Sequence, residues 1–168
     1  MSSTSRQGYG MRQVLVIDGD SSVCEMITKT LREWPDTNVI CAQDGIEGAE
    51  KLRERRFDLA LIDGFLSGLS SIQLAEVAAN ENTPVLLLSG HLDVNQTAAA
   101  FGFPFLPKPF SVSQLLISSR NALARASENV ERVKASSTRL QASIEAAQAT
   151  LAETHKLLSL LDTPSSDG

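Results

Sequence analysis

The run Phe57-Asp58-Leu59-Ala60-Leu61-Ile62-Asp63-Gly64 has one charged residue among its first six and a second carboxylate where the apolar part stops. A short apolar run closed by Gly reads as a strand buried on both faces, as in a parallel sheet. Ligands of such sheets bind beyond the carboxyl ends of the strands, and Asp63 stands at that end. Three other runs finish in the same way. Val14-Leu15-Val16-Ile17 ends on Asp18, Pro84-Val85-Leu86-Leu87-Leu88 ends on Ser89, and Phe103-Pro104-Phe105-Leu106-Pro107 leads to Lys108 and Pro109. Two carboxylates, a hydroxyl and an ammonium at four strand ends have the chemistry of a site that accepts a phosphoryl group. A carboxylate serves as the nucleophile, and the incoming charge requires cations and hydrogen-bond donors around it.

Helical patterns alternate with these strands. The first strand, about Gln13 to Asp18, leads into a helix with Val23, Met26, Ile27 and Leu31 on one side. Trp34-Pro35 stops it, because the residue before Pro avoids the α region. Val39 to Ala42 is a short strand, and Asp44 with Glu47 is a capping box opening the second helix. A third helix starts near Ser71, with Ile72, Leu74 and Ala75 on its apolar side. Thr83-Pro84 opens the fourth strand, and Val94 to Phe101 is a fourth helix. Ser111 and Gln114 form another capping box after Lys108. Strand and helix alternating five times imply an α/β fold: a doubly wound five-stranded parallel sheet with helices on both faces.

From Ser111 to Thr163 there is neither Gly nor Pro, so a continuous helix there would be roughly 75 Å long. Leu116, Ser119, Leu123, Ala126, Val130, Val133, Ser137, Leu140, Ile144, Ala147, Leu151, Thr154, Leu158 and Leu161 follow one another at alternating spacings of 3 and 4. That register is the a/d seam of a coiled coil, predicting a homodimer through residues 116–161. Ser137, Ala147 and Thr154 weaken the seam, and the flanking positions carry almost no charge code, which leaves a four-helix assembly open. The expected organisation is a disordered leader (1–10), an α/β domain (11–126), a coiled-coil extension of its last helix (127–161) and a disordered tail (162–168).

Composition narrows the function. The chain has 168 residues, 42% of them hydrophobic, which suits one ordinary core plus an appendage. A net charge of -5 and a pI near 5.0 argue against nucleic acid as a partner, since such modules show a basic face. The Ser-rich start has no apolar signal region and the apolar runs are far shorter than the ~20 residues a bilayer requires, so no membrane partner and a cytoplasmic setting are expected. Cys24 and Cys41 lack metal-ligand or redox-motif spacing. Each is read as a small buried apolar residue and not as half of a disulfide.

The order Asp18, Asp63, Ser89, Lys108-Pro109 over about residues 11 to 125 resembles the receiver domain of bacterial two-component response regulators. The resemblance implies a flavodoxin-like receiver with a long C-terminal helix, which takes a phosphoryl group from a sensor histidine kinase or a phosphotransfer protein. By the same resemblance Asp63 is the phosphoacceptor, Ser89 and Phe105 are the switch residues, and Lys108 is the cation of the site. It also implies Mg²⁺, with Asp18, Asp20, Asp63 and Phe65 as the metal set. Two departures stand out. The family usually ends its first strand in two adjacent acids, and here the second is Gly19. Leu66 to Ser71 replaces the family's usual Met-Pro-x-Met-Asp-Gly. His91 and Phe65 flank the site, either as plain loop side chains or as groups that tune the lifetime of the acyl phosphate. The resemblance implies a signalling protein and not an enzyme, with its output through protein contacts because no output domain is encoded. Two rivals remain: a phosphorylation-independent scaffold, suggested by Gly19, and a haloacid-dehalogenase-like phosphatase using Asp18 of Asp18-Gly19-Asp20. The second leaves Asp63 without a role.

Overall fold

Strands β1 (Arg12–Ile17), β2 (Thr37–Ala42), β3 (Leu59–Asp63), β4 (Val85–Ser89) and β5 (Phe105–Pro107) alternate with helices α1 (Ser21–Leu31), α2 (Gly45–Glu54), α3 (Ser71–Asn80), α4 (Leu92–Ala100) and α5 (Val112–Leu161) in the computed structural model. The structure describes residues 10–161, with side chains through residue 158. Most of the expected leader and all of the expected tail lie outside the described residues. The five strands are parallel in the order β2-β1-β3-β4-β5, the flavodoxin-like order with its switch point between β1 and β3. This is the fold class the strand and helix alternation predicts.

The apolar runs are continuous because both faces of the sheet are covered. Leu15, Ile17, Ala60, Ile62, Val85 and Leu87 pack with Ala49 and Leu52 of α2, Leu74, Ala75 and Ala78 of α3, and Ala98 of α4. Their neighbours Val14, Val16, Leu59, Leu61, Leu86 and Leu88 point the other way, onto Ile27 and Leu31 of α1 and Leu115 and Ala122 of α5. Strand side chains alternate between faces, so each run supplies both cores. The central residues Val14–Ile17 and Leu59–Ile62 are fully buried.

The helices begin where the sequence places their caps. Asp44 accepts from the amides of Ile46 and Glu47, while Glu47 reaches back to the amide of Gln43 and not to Asp44. Ser111 and Gln114 bond each other's amides at the start of α5. A third box, Ser70 with Gln73, opens α3.

Two expectations are corrected. Cys24 and Cys41 are not separate buried apolar residues: they form a disulfide between α1 and β2, with Cα atoms 6.5 Å apart. The reason is tertiary. Packing α1 onto the face of β1 brings its first turn over the neighbouring edge strand, within the distance a disulfide spans. The second concerns the start of the seam. Packing divides the chain between Ala126 and Ser127, and before that division the buried residues of α5 are Leu115, Ser119 and Ala122. The early part of the 3-4 register is therefore occupied by the sheet. From residue 127 to 158 every side chain is exposed in the single chain.

Candidate functional site

Strand register alone aligns the predicted site residues. Ile17 pairs with Ile62, so Asp18 follows beside Asp63. Asp63 pairs with Leu88, which sets Gly64 beside Ser89. Ser89 pairs with Pro107, and the Lys108 amide donates to the Ser89 carbonyl at 3.1 Å. All four candidate side chains thus arise along one edge of the sheet, at the carboxyl ends of β1, β3, β4 and β5, where ligand sites of such folds lie.

Lys108 is the hub. Its Nζ donates to Asp63 Oδ1 at 2.7 Å and to Asp18 Oδ2 at 3.3 Å. The Asp18 side chain is 5% exposed and that of Asp63 13%. Partial burial of Lys108 works against its charge. The hydrogen bond and charge of Asp63, and then the charge and hydrogen bond of Asp18, outweigh that burial and raise its pKa above the ordinary lysine value. A group whose folded pKa is raised stabilises the fold below its unfolded pKa and loses that contribution as pH climbs through the folded value. The ammonium thus remains charged throughout the physiological range.

The free lone pairs of the two carboxylates meet backbone donors. Asp18 Oδ1 accepts from the Asp20 amide at 2.9 Å, and Asp63 Oδ2 accepts from the Phe65 amide at 3.2 Å. Ser89 is buried, and its Oγ accepts from the His91 amide at 3.0 Å. That bond uses a lone pair, so the hydroxyl proton is not committed to it. Phe65 itself is 78% exposed and its ring lies 5.9 Å from that of His91. Phe105, the expected switch aromatic, sits at the start of β5 beside a surface cavity of about 390 Å³ that it lines with Leu86, Phe103 and Arg125.

Three placements were not legible in the sequence. Asp20 does not join Asp18 and Asp63 on Lys108: its Oδ1 accepts from the Ser22 amide at 2.8 Å as the N-cap of α1. The Asp-x-Ser spacing of a cap was the available signal. The glycine that the site requires is Gly64, since a Cβ there would overlap the Ser89 side chain. At Gly90 it would make only ordinary contact with Lys108. Gly64→Ala is expected to displace Ser89 and destabilise the fold by about 1–3 kcal/mol, the usual cost of overpacking. Urea unfolding of the variant checks this, and an unchanged midpoint would show that the loop yields freely. Third, Gly45 packs against the backbone of Leu69 and its amide donates to the Ser67 carbonyl at 3.0 Å. The loop after Asp63 is thereby fixed to the start of α2 although its sequence departs from the resembled pattern.

The donor set also bears on Mg²⁺. Among the described residues no group of three or more His, Cys, Asp or Glu is poised to hold a metal. Asp18 and Asp63 are nevertheless two oxygen donors on one side of Lys108, and the only donor Phe65 has for a metal is its backbone carbonyl. Mg²⁺ usually binds through one or two carboxylates and retains several waters, so these residues fit a water-rich site.

Comparison with known proteins bears on the family and the fold. Residues 14–120 match the family model of the response regulator receiver domain. The DNA-binding response regulator MtrA of Mycobacterium leprae is 35% identical over 121 residues, 68% of this chain and 53% of MtrA. The transcriptional regulatory protein ZraR of Klebsiella oxytoca is 32% identical over 116 residues, 66% of this chain and 26% of ZraR. The chain therefore spans about half of the first relative and about a quarter of the second. Among solved structures, the CheY-like receiver domain protein from Methanospirillum hungatei JF-1 superposes with a TM-score of 0.64 at 22% identity, covering 71% of this chain and 99% of that one. The Francisella response regulator 1452 receiver domain gives 0.60 at 28% identity, covering 68% and 98%. By sequence match over most of its length, this chain belongs to the response regulator receiver domain family.

Proposed function

We propose that Asp63 accepts a phosphoryl group from the phosphohistidine of a sensor histidine kinase or phosphotransfer protein. The chain then signals through protein contacts in the cytoplasm as a homodimer joined by its long helix. The observation that carries this reading is the convergence of Lys108 Nζ on Asp63 and Asp18. An Asp63 carboxylate oxygen attacks phosphorus, the phosphorus–nitrogen bond breaks, and the imidazole leaves with that electron pair. Phosphoryl transfer needs mainly positioning and charge stabilisation. Lys108 supplies a fixed positive charge at the acceptor, and the Ser89 hydroxyl donates to a phosphoryl oxygen. Moving Ser89 toward that oxygen draws on β4, whose register with Phe105 gives the aromatic side chain beside its cavity a packing response. Receiver domains generally bind Mg²⁺; here Asp18, Asp63 and the Phe65 carbonyl would hold it, and it would supply further positive charge at the transferred group.

The scaffold reading has one observation in its favour: Gly19 stands where an acid is usual, and Asp20 is held as a helix cap. One experiment separates the two. The full chain is titrated with Mg²⁺ in the presence of a small acyl-phosphate donor while hydroxylamine-sensitive phosphoprotein is measured. Labelling that rises with Mg²⁺ is expected; none at any Mg²⁺ concentration would leave the scaffold.

Gly19→Asp probes the same gap. A Cβ at Gly19 meets only the Gln43 carbonyl at 3.6 Å, so the new side chain has room. One added carboxylate–metal contact at a partly exposed site should tighten Mg²⁺ by at least about tenfold. An unchanged Mg²⁺ midpoint in the same labelling assay would mean that position 19 does not face the ion.

A further inference from the structure

The two sulfurs of the Cys24–Cys41 bridge have different surroundings. Cys24 lies in the core with Ile27 and Leu31 of its own helix. Cys41 is exposed, on β2, which is the edge of the sheet and pairs only with β1. The Thr28 hydroxyl, one turn along α1, donates to the Cys24 carbonyl and lies 3.9 Å from Cys41 Sγ. The bridge closes a loop between residues only 17 apart in sequence, so the fold does not depend on it to join distant parts of the chain. Exposed disulfides are the labile and regulatory kind.

We propose that Cys41 is a thiol–disulfide exchange site with Cys24 as its resolving partner, and that a low-molecular-weight thiol of the glutathione type is the reactant. In the opening direction a thiolate attacks Cys41 Sγ, on the exposed residue of the bridge, since Cys24 is buried. A bond forms between the incoming sulfur and Cys41, the Cys24–Cys41 bond breaks, and Cys24 leaves with the electron pair and takes up a proton. A second thiolate then attacks the small-molecule sulfur of the mixed disulfide, and Cys41 leaves with the electron pair and takes up a proton. Two thiols are oxidised to one small-molecule disulfide, and the protein gains two electrons and two protons. The reverse sequence, with that disulfide as oxidant, closes the bridge.

The location gives the exchange a consequence. α1 starts directly after Asp18-Gly19-Asp20, with Asp20 as its cap, and β2 forms one side of β1, the strand that ends at Asp18. The bridge ties α1 to β2 across that strand; opening it leaves the two held by packing alone, and the amides of β2 should exchange faster.

The test uses the full native chain in buffers of graded reduced-to-oxidised glutathione ratio, followed by acid quench, alkylation and peptide mass spectrometry. The expected result is reversible passage between bridged and dithiol forms with the fold retained, a transient glutathione adduct on Cys41, and faster hydrogen exchange across Ile40–Ala42 in the dithiol form. Cys24→Ala, which lacks the resolving sulfur, should accumulate the Cys41 adduct at least about tenfold over the unsubstituted chain, because the intramolecular step that clears it is gone. Thiols that stay unbridged in excess oxidised glutathione would overturn the proposal. So would a bridge that opens only in denaturant, or an adduct confined to Cys24. All three readings come from the unsubstituted chain and stand even if the variant fails to fold.

Discussion

Asp63→Asn removes labelling from an acyl-phosphate donor, by on the order of a thousandfold or more, as expected when a covalent nucleophile is replaced by an amide. The substitution is nearly isosteric, so its effect separates chemistry from structure. The amide oxygen that it introduces can still accept from Lys108, while the amide nitrogen cannot accept from the Phe65 amide, an exposed donor that water can satisfy. Lys108 retains the Asp18 carboxylate at 3.3 Å, so the ammonium is not stranded without a partner. The variant should therefore fold and keep its unfolding midpoint while losing the hydroxylamine-sensitive product. Undiminished labelling would transfer the role to Asp18, the other carboxylate on Lys108, and revive the phosphatase reading. A variant that loses both label and fold would be replaced by Asp63→Glu, which keeps the charge but displaces the attacking oxygen.

The second large effect concerns assembly. In the single chain Leu140 is 64% exposed, Ile144 43% and Leu151 62%, all on the 3-4 register of α5. The buried clusters contain no residue beyond Leu123, so none of the three belongs to a core of the single chain. A row of apolar side chains at heptad spacing is stabilised by burial against a second helix, each Leu or Ile contributing about 1.5–3 kcal/mol. Thr154 is a tolerable member of the row because its hydroxyl already donates to the Thr150 carbonyl at 2.8 Å, so burying it leaves no orphaned donor. Ile144→Asp with Leu151→Asp removes four apolar side chains per dimer and faces carboxylates across the seam. At about 1.4 kcal/mol per tenfold, the dimer should weaken by at least about a thousandfold. Truncation after Ala126, where packing divides the chain, should give a folded monomer. Light scattering on the full chain, the double variant and the truncation distinguishes the cases. A truncation that remains dimeric would place the interface on the α/β unit and leave the long helix for another partner.

These two experiments address parts of the molecule that differ in how they were encoded. The central strands were legible from Leu59-Ala60-Leu61-Ile62 and its counterparts because burial on both faces needs an uninterrupted apolar run, a purely local property. Caps were legible for the same reason: Asp44 and Ser111 bond amides within three residues. Since strand order and register bring strand ends together, a residue following each run was enough to nominate Asp18, Asp63, Ser89 and Lys108. The convergence of Asp18 and Asp63 on the Lys108 ammonium is then the outcome of parallel pairing.

What the sequence left open depends on contacts between elements. Residues 24 and 41 carry no motif, and only the seating of α1 over the sheet edge makes them partners. Gly64 looks like any strand-ending glycine until the register sets it against Ser89. The sequence reads Asp20 as a metal ligand; the start of α1 at Ser21 makes it the cap instead. The heptad register runs unbroken through Leu116, Ser119 and Leu123, but the sheet takes Ser119 as a core residue and leaves only the later heptads without cover. Periodicity specifies which side of a helix is apolar; which surface that side meets is decided by the packing of the other elements.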